Sequence, residues 1–218
     1  MTTGPFKVSR AFSEGWKLTK QHWLVMIGLL LGFAILSLLL SLFQGSTPDT
    51  ARFWIFQIVI LAVSIIFQAG YYKMYLVASD GEEPEFNLFG KCIKKAFPFF
   101  IVSLLFGLGV VIGLGLLIVP GIWFMVRFAF APIIFIDKEE CGIMEAFKRS
   151  YALTEGHFWP LFGMGILACL IYVAGLIVLI VGVFLAVVWI YFAFTVTYRM
   201  LENPSENETV VIESETTV

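Results

Sequence analysis

The chain has 218 residues, of which 60% are hydrophobic, 17% aromatic and only 14% charged, with a formal net charge of −2. Soluble domains carry about 45–50% apolar and about 25% charged residues, so this chain lacks the polar surface to dissolve in water. The mean hydropathy of +0.93 and isoelectric point near 5.7 exclude a disulfide-stapled secreted scaffold, a disordered chain and a nucleic-acid binder, which needs a basic field for phosphates. An integral membrane protein remains.

Amphipathic sequence comes first. Val8, Ala11, Phe12, Gly15, Trp16 and Thr19 recur at helical spacing, with Lys7, Arg10, Glu14 and Lys17 on the opposite face. This pattern predicts a helix lying in the membrane interface. A spanning helix needs about 20 mostly apolar residues. Trp23 to Phe43 meets that length and ends at the turn-rich stretch Gln44 to Asp49, and a second run, Phe53 to Val77, stops before Ser79 to Pro84. Leu88, Phe89, Cys92, Ile93 and Ala96 then repeat the amphipathic spacing opposite Lys91, Lys94 and Lys95.

The apolar block Phe97 to Ile136 is twice too long for one crossing. Pro120-Gly121 divides it, with proline expected at the first position of the next helix. Pro132 is expected to kink that helix. A third amphipathic segment follows, Ile143, Ala146, Phe147, Ser150, Tyr151 and Thr154 opposite Glu145, Lys148 and Arg149. The last block, Phe158 to Met200, divides between Gly175 and Gly182. Six spans result, and the predicted class is an all-α integral membrane protein. A cleaved secretory signal is not expected, because about twenty residues precede the first apolar run, which is too long and lacks a following Ala-x-Ala site.

Basic residues cluster on one set of loops: Lys7, Arg10, Lys17 and Lys20, then Lys73, Lys91, Lys94 and Lys95, then Lys138, Lys148, Arg149 and Arg199, against Arg52 alone on the other. Positive residues concentrate in cytoplasmic loops. Both termini are therefore expected to be cytoplasmic, in a multi-pass protein of a bacterial plasma (inner) membrane. Cys92, Cys141 and Cys169 are expected as free thiols in a reducing compartment, and their spacing suggests neither a metal nor any cofactor. Residues 202–218, acidic and without a basic residue, are expected to be a disordered cytoplasmic tail.

The segment Ala11 to Trp23 matches Ala146 to Phe158 at a constant offset of 135, with Ala, Phe, Leu, Thr and His identical and Trp16 answered by Tyr151. The single transmembrane domain, residues 1–201, thus reads as three parallel units (6–78, 86–137 and 141–201), each an interfacial helix followed by a two-span hairpin. Inverted repeats of the kind common in secondary transporters are not what this offset gives. Pro98 and Pro160 fall where an interfacial helix would turn upward into its span.

The string Pro120-Gly-Ile-Trp-Phe-Met-Val-Arg127-Phe-Ala-Phe-Ala-Pro132, then Asp137, Glu145 to Ser150, Leu153-Thr154 and His157-Phe-Trp159, resembles a widespread prokaryotic family of polytopic membrane proteins. That family is related to the membrane domain fused to some glycerophosphodiester phosphodiesterases. The resemblance covers residues 85–200 and reaches the first hairpin through the repeat. It implies a membrane fold and little about activity. The phosphodiesterase chemistry belongs to a soluble barrel domain for which this sequence has no room, so no enzymatic role is carried over.

Every Asp and Glu lies outside the six spans or at their edges. No acid/base pair, nucleophile or metal set is placed for hydrolysis, and no intramembrane carboxylate is placed for proton coupling. The exception among charged groups is Arg127, roughly 10 Å below the end of span 4 marked by Pro120 at 1.5 Å per residue. An ionisable residue at that depth is a functional hypothesis with a counterpart to be named. Its guanidinium can snorkel outward to lipid phosphates, bond carbonyls around Pro120, meet Gln57, or bind an anionic headgroup or solute.

In span 2, Gln57, Ser64 and Gln68 occupy one helical face that Tyr71, Tyr72 and Tyr75 extend. That stripe is expected to point into the bundle, as interhelical glue or as the wall of a polar cavity. Trp16, His22 and Trp23, with Tyr151, His157 and Phe158 in the second copy, form an interfacial motif. Its histidines either pin the elbows or contact phosphate. Gly28 and Gly32, and Gly109 and Gly113, are spaced for close helix approach. The expected partners are membrane lipids, with another membrane protein or a second copy as the alternative. The leading reading is a non-enzymatic lipid- or partner-interacting module, and the second is a permease or exporter for a small or lipid-like solute.

Overall fold

The computed structural model describes residues 7–43, 51–138, 140–177 and 179–203, and every regular element among them is helical. The elements are α1 (Val8–Phe43), α2 (Ala51–Ser79), α3 (Asn87–Leu116), α4 (Ile118–Phe128), α5 (Ala131–Asp137), α6 (Ile143–Leu153), α7 (Phe158–Ile177) and α8 (Leu179–Glu202). Six stretches are long and apolar enough to cross a bilayer, α4 and α5 together making the fourth. The chain is an all-α, multi-pass membrane protein. Glu202, read from sequence as the first tail residue, instead closes α8; the tail beyond Asn203 lies outside the described residues.

The start of α1 and the ends of α2 and α8 meet at one end of the bundle. Glu14, Lys17, Ser79, Asp80, Arg199 and Asn203 line a groove of about 710 Å³ there. This is the terminal end, and the tight α3–α4 and α7–α8 turns mark the far end.

Helices separate from the spans were expected in three places, and one of the three segments, α6, forms a separate helix. α1 runs unbroken for 36 residues, about 54 Å at 1.5 Å per residue, with its charges Arg10, Glu14, Lys17 and Lys20 confined to its first half. Nothing between Trp16 and Met26 breaks a helix, and the Thr19 hydroxyl donates to the Gly15 carbonyl at 2.7 Å. α3 likewise continues through Pro98. The carbonyl that this proline leaves unpaired belongs to Lys94, an exposed residue, so water can satisfy it. Only α6 and α7 are parted by an elbow, and Gly156 makes it with φ +79. Pro160 is the third residue of α7, where a missing N–H forfeits no helical bond.

The turn between spans 3 and 4 also differs from the expectation at Pro120-Gly121. It is made by Leu117, with extended backbone at φ −160 and ψ 148, three residues earlier. Gly121 then serves close packing: a Cβ there would lie 2.5 Å from the Leu114 nitrogen, and one on Gly113 would lie 2.8 Å from the Gly121 Cα. The α7–α8 hairpin uses the same device, since a Cβ on Gly175 would sit 2.8 Å from the Gly182 carbonyl oxygen. Gly28 and Gly32 instead lie on an open face of α1 with nothing within 4 Å, so within this chain they bring no backbones together.

Packing is concentrated in the terminal half. Around α5, whose residues Ala131 to Ile136 are all buried, gather Ala69 and Leu76 of α2, Phe99 and Val102 of α3, Ala146 of α6, Leu161 of α7 and Tyr198 of α8. The three basic amphipathic segments each lie on the second span of a hairpin. Phe12 and Trp16 of α1 pack on Trp189 of α8, Phe89 of α3 packs on Phe67 of α2, and Phe147 and Tyr151 of α6 pack on Phe128 of α4. By contrast, none of residues 27–43, 51–68 and 103–117 is buried among the described residues.

Candidate functional site

Arg127 lies in the last turn of α4 and meets α6 rather than any of the groups expected near Pro120 or Gln57. Its guanidinium lies over the Tyr151 ring at 4.8 Å and the Trp123 ring at 5.8 Å. Its backbone carbonyl accepts hydrogen bonds from the Ser150 hydroxyl at 2.9 Å and the Thr154 hydroxyl at 3.2 Å. Helix α6 exposes Lys148 and Arg149 and buries Ala146 and Ser150, so Arg127 lies against its inner side. Counting residues from Pro120 did not give this neighbour, and from the turn at Leu117 the count to Arg127 becomes about 15 Å at 1.5 Å per residue. Nε and Nη1 are sealed without a hydrogen-bond acceptor, and no carboxylate pairs with the side chain among the described residues. Aromatic faces attract a desolvated guanidinium, yet they leave its full charge uncompensated.

A second group occupies the centre of the bundle. Tyr75 donates to the Tyr71 hydroxyl at 2.8 Å, and Tyr71 donates to the Met26 carbonyl at 3.4 Å. Tyr191 of α8 stacks on Tyr75 at 5.2 Å and meets the Tyr72 ring edge-on at 5.5 Å. These four tyrosines close the space between α2 and α8. Gln57, Ser64 and Gln68 precede Tyr75 on the same face of α2, at spacings that bring all four within an arc of about 40° at 3.6 residues per turn. The Ser64 hydroxyl returns to its own helix, donating to the Ile60 carbonyl at 2.7 Å. Gln57 and Gln68 remain exposed, without a hydrogen-bond partner among the described residues. The structure does not bring Gln57 to Arg127.

The interfacial motif divides. Trp16 packs at 4.8 Å, its ring tilted, against Trp189, which donates from Nε1 to the Phe12 carbonyl at 2.9 Å. Lys20 reaches over the Trp16 ring. His22 is buried, its ring 6.4 Å from Phe192, whereas His157 contacts the Glu155 carbonyl at 3.1 Å beside the elbow. Trp23 is exposed, and Phe158 stacks on Phe162.

Sequence reasoning missed the ion-pair lock at the terminal end. Asp137 accepts from the Tyr198 hydroxyl at 2.8 Å and from both terminal nitrogens of Arg199 at 3.0 Å. Arg199 also reaches Asp80 at 2.6 Å and Glu202 at 3.2 Å. Lys138 pairs with Glu202, and that hydrogen bond raises the lysine above its ordinary range. Burial pushes the Cys141 thiol up, away from a reactive thiolate. The signal for this lock was present as charges at the ends of α2, α5 and α8, but their partners are up to 119 residues apart. Among the described residues no cluster of three His, Cys, Asp or Glu side chains could hold a metal ion.

Comparison with protein families, with curated proteins and with solved structures finds no match for this chain.

Proposed function

We propose that this protein is a non-enzymatic membrane module that binds an anionic lipid headgroup through Arg127, in a bacterial plasma membrane with both termini cytoplasmic. The observation that carries the reading is the guanidinium held between Trp123 and Tyr151 with no acid to balance it among the described residues. An uncompensated charge within a span is costly, and a phosphate reaching Nη2, the one guanidinium nitrogen not sealed, would supply both counter-charge and acceptor. The position beneath α6, with Lys148 and Arg149 on its exposed side, suits lipid arriving from the leaflet at the terminal end. The excess of lysine and arginine at that end supports the orientation.

Native mass spectrometry of the purified protein with phosphatidylglycerol and phosphatidylcholine tests this. Wild type is expected to retain the anionic lipid preferentially. Arg127→Gln should lower that retention about tenfold, as for a lost charge-assisted contact, and Arg127→Lys should fall between, since lysine keeps the charge without the planar stack. Equal retention in Arg127→Gln would end the reading. A permease for a lipid-like solute is the second reading, favoured by the exposed glutamines above the tyrosine layer.

A further inference from the structure

We propose that the open half of the bundle, between α2 and α8 on the far side of the tyrosine layer, is a second binding site, which takes an uncharged lipid whose head carries hydroxyl, ester or amide groups. It is independent of the site at Arg127. Gln57 and Gln68 share the face of α2 on which Tyr75 packs against Tyr191 and Phe192 of α8. Ala69 and Leu76, on the adjoining face, pack in the cluster around α5. The glutamines therefore face the centre of the bundle, but there the helices do not close over them: both are exposed. Each primary amide brings two donors and an acceptor, and hydrocarbon satisfies none of them.

The remaining surroundings define the ligand. The floor is the hydroxyl-bearing layer of Tyr71, Tyr72, Tyr75 and Tyr191. The walls are apolar, and none of residues 27–43, 51–68 and 103–117 is buried among the described residues, which leaves room for acyl chains to enter sideways. Residues 24–43, 53–72, 96–117 and 179–198 contain no Asp, Glu, Lys or Arg. On the face of α2 that carries Gln57 and Gln68 a charged headgroup would meet no counter-ion, since Arg52 stands five residues before Gln57 and about 140° around the helix, and low-dielectric surroundings penalise an unpaired charge heavily. A neutral head would exchange hydrogen bonds with the two amides, and its chains would cover the exposed flanks of α1, α2 and α3.

The experiment returns the full chain to phosphatidylcholine vesicles containing a diazirine-tagged diacylglycerol and maps the peptides labelled on photolysis. Label is expected on α2 between Gln57 and Gln68 and on the facing part of α8. It should fall at least fivefold in the double variant Gln57→Leu, Gln68→Leu, persist in Gln57→Asn, Gln68→Asn, which keeps both amides, and be unchanged in Arg127→Gln. A diazirine-tagged phosphatidic acid in parallel vesicles should label the flank of α4 and α6 and spare this part of α2. Label on α2 that survives the leucine pair overturns the proposal, as does label scattered evenly over the bundle. Rapid disulfide formation between two copies of Gln57→Cys, with exclusion of the diacylglycerol label, also overturns it, because a second copy would then fill the opening.

Discussion

A methyl group on Gly15 would lie 2.9 Å from the backbone nitrogen of Ala193 and 3.1 Å from its Cα. The obstacle is backbone in the middle of α8, which cannot swing aside as a side chain can. Gly15→Ala is therefore expected to destabilise the protein by about 1–3 kcal/mol, the usual cost of overpacking, measured as lowered thermal stability in detergent. Gly28→Ala is the matched control. Its site is open, so the substitution should be neutral or gain up to about 1 kcal/mol from helix propensity. Equal losses at the two positions would show that the Gly15 contact with α8 does not govern stability. The sequence marked both glycines but could not rank them, because the difference lies in which partner helix arrives. The same limit applies to Arg127. Its place in the fourth apolar stretch was legible, whereas Tyr151 and Ser150 reach it from another helix.

Helix boundaries show the same division between what is local and what is not. The apolar runs, their number and the Gly175–Gly182 turn follow from composition and length, and these were readable in advance. The elbows were assigned to Pro98 and Pro160, yet α3 ignores Pro98 and the turn before α7 depends on Gly156. Proline fixes its own φ and removes one donor, which an exposed turn tolerates. A backbone at φ +79 excludes most side chains, and Cβ–carbonyl crowding costs about 1–2 kcal/mol there. Gly156→Ala is accordingly expected to lose about that much stability and to loosen α6 from α4, seen as faster amide exchange at Ser150 and Thr154. Pro98→Ala should instead leave stability unchanged or raise it. If Pro98→Ala were the harmful substitution and Gly156→Ala the silent one, the elbow would be misplaced.

Taken as a whole, the bundle is tied at one end and loose at the other. The terminal half contains α5, the tyrosine layer, the Asp137–Arg199 lock and three amphipathic segments, each laid on the second span of a hairpin. Helix α1 on α8 links the first hairpin to the last and closes the ring. Composition indicated amphipathic segments and six spans but not this asymmetry, since both halves of each span are equally apolar. Stability is distributed according to buried contacts, so regions open independently with free energies from near zero to the global value. Hydrogen exchange in lipid nanodiscs is therefore expected to be slowest in α5 and in residues 69–78 of α2. Residues 27–43 of α1 and 51–68 of α2 should exchange at least tenfold faster, a difference of about 1.4 kcal/mol in local opening. Adding the neutral lipid proposed for the open half should narrow that difference, because a ligand that binds the ordered state stabilises it by mass action. Uniform protection along α2 without ligand would mean that the far half is held by contacts the bundle itself does not make, and the opening between α2 and α8 would then be no binding site.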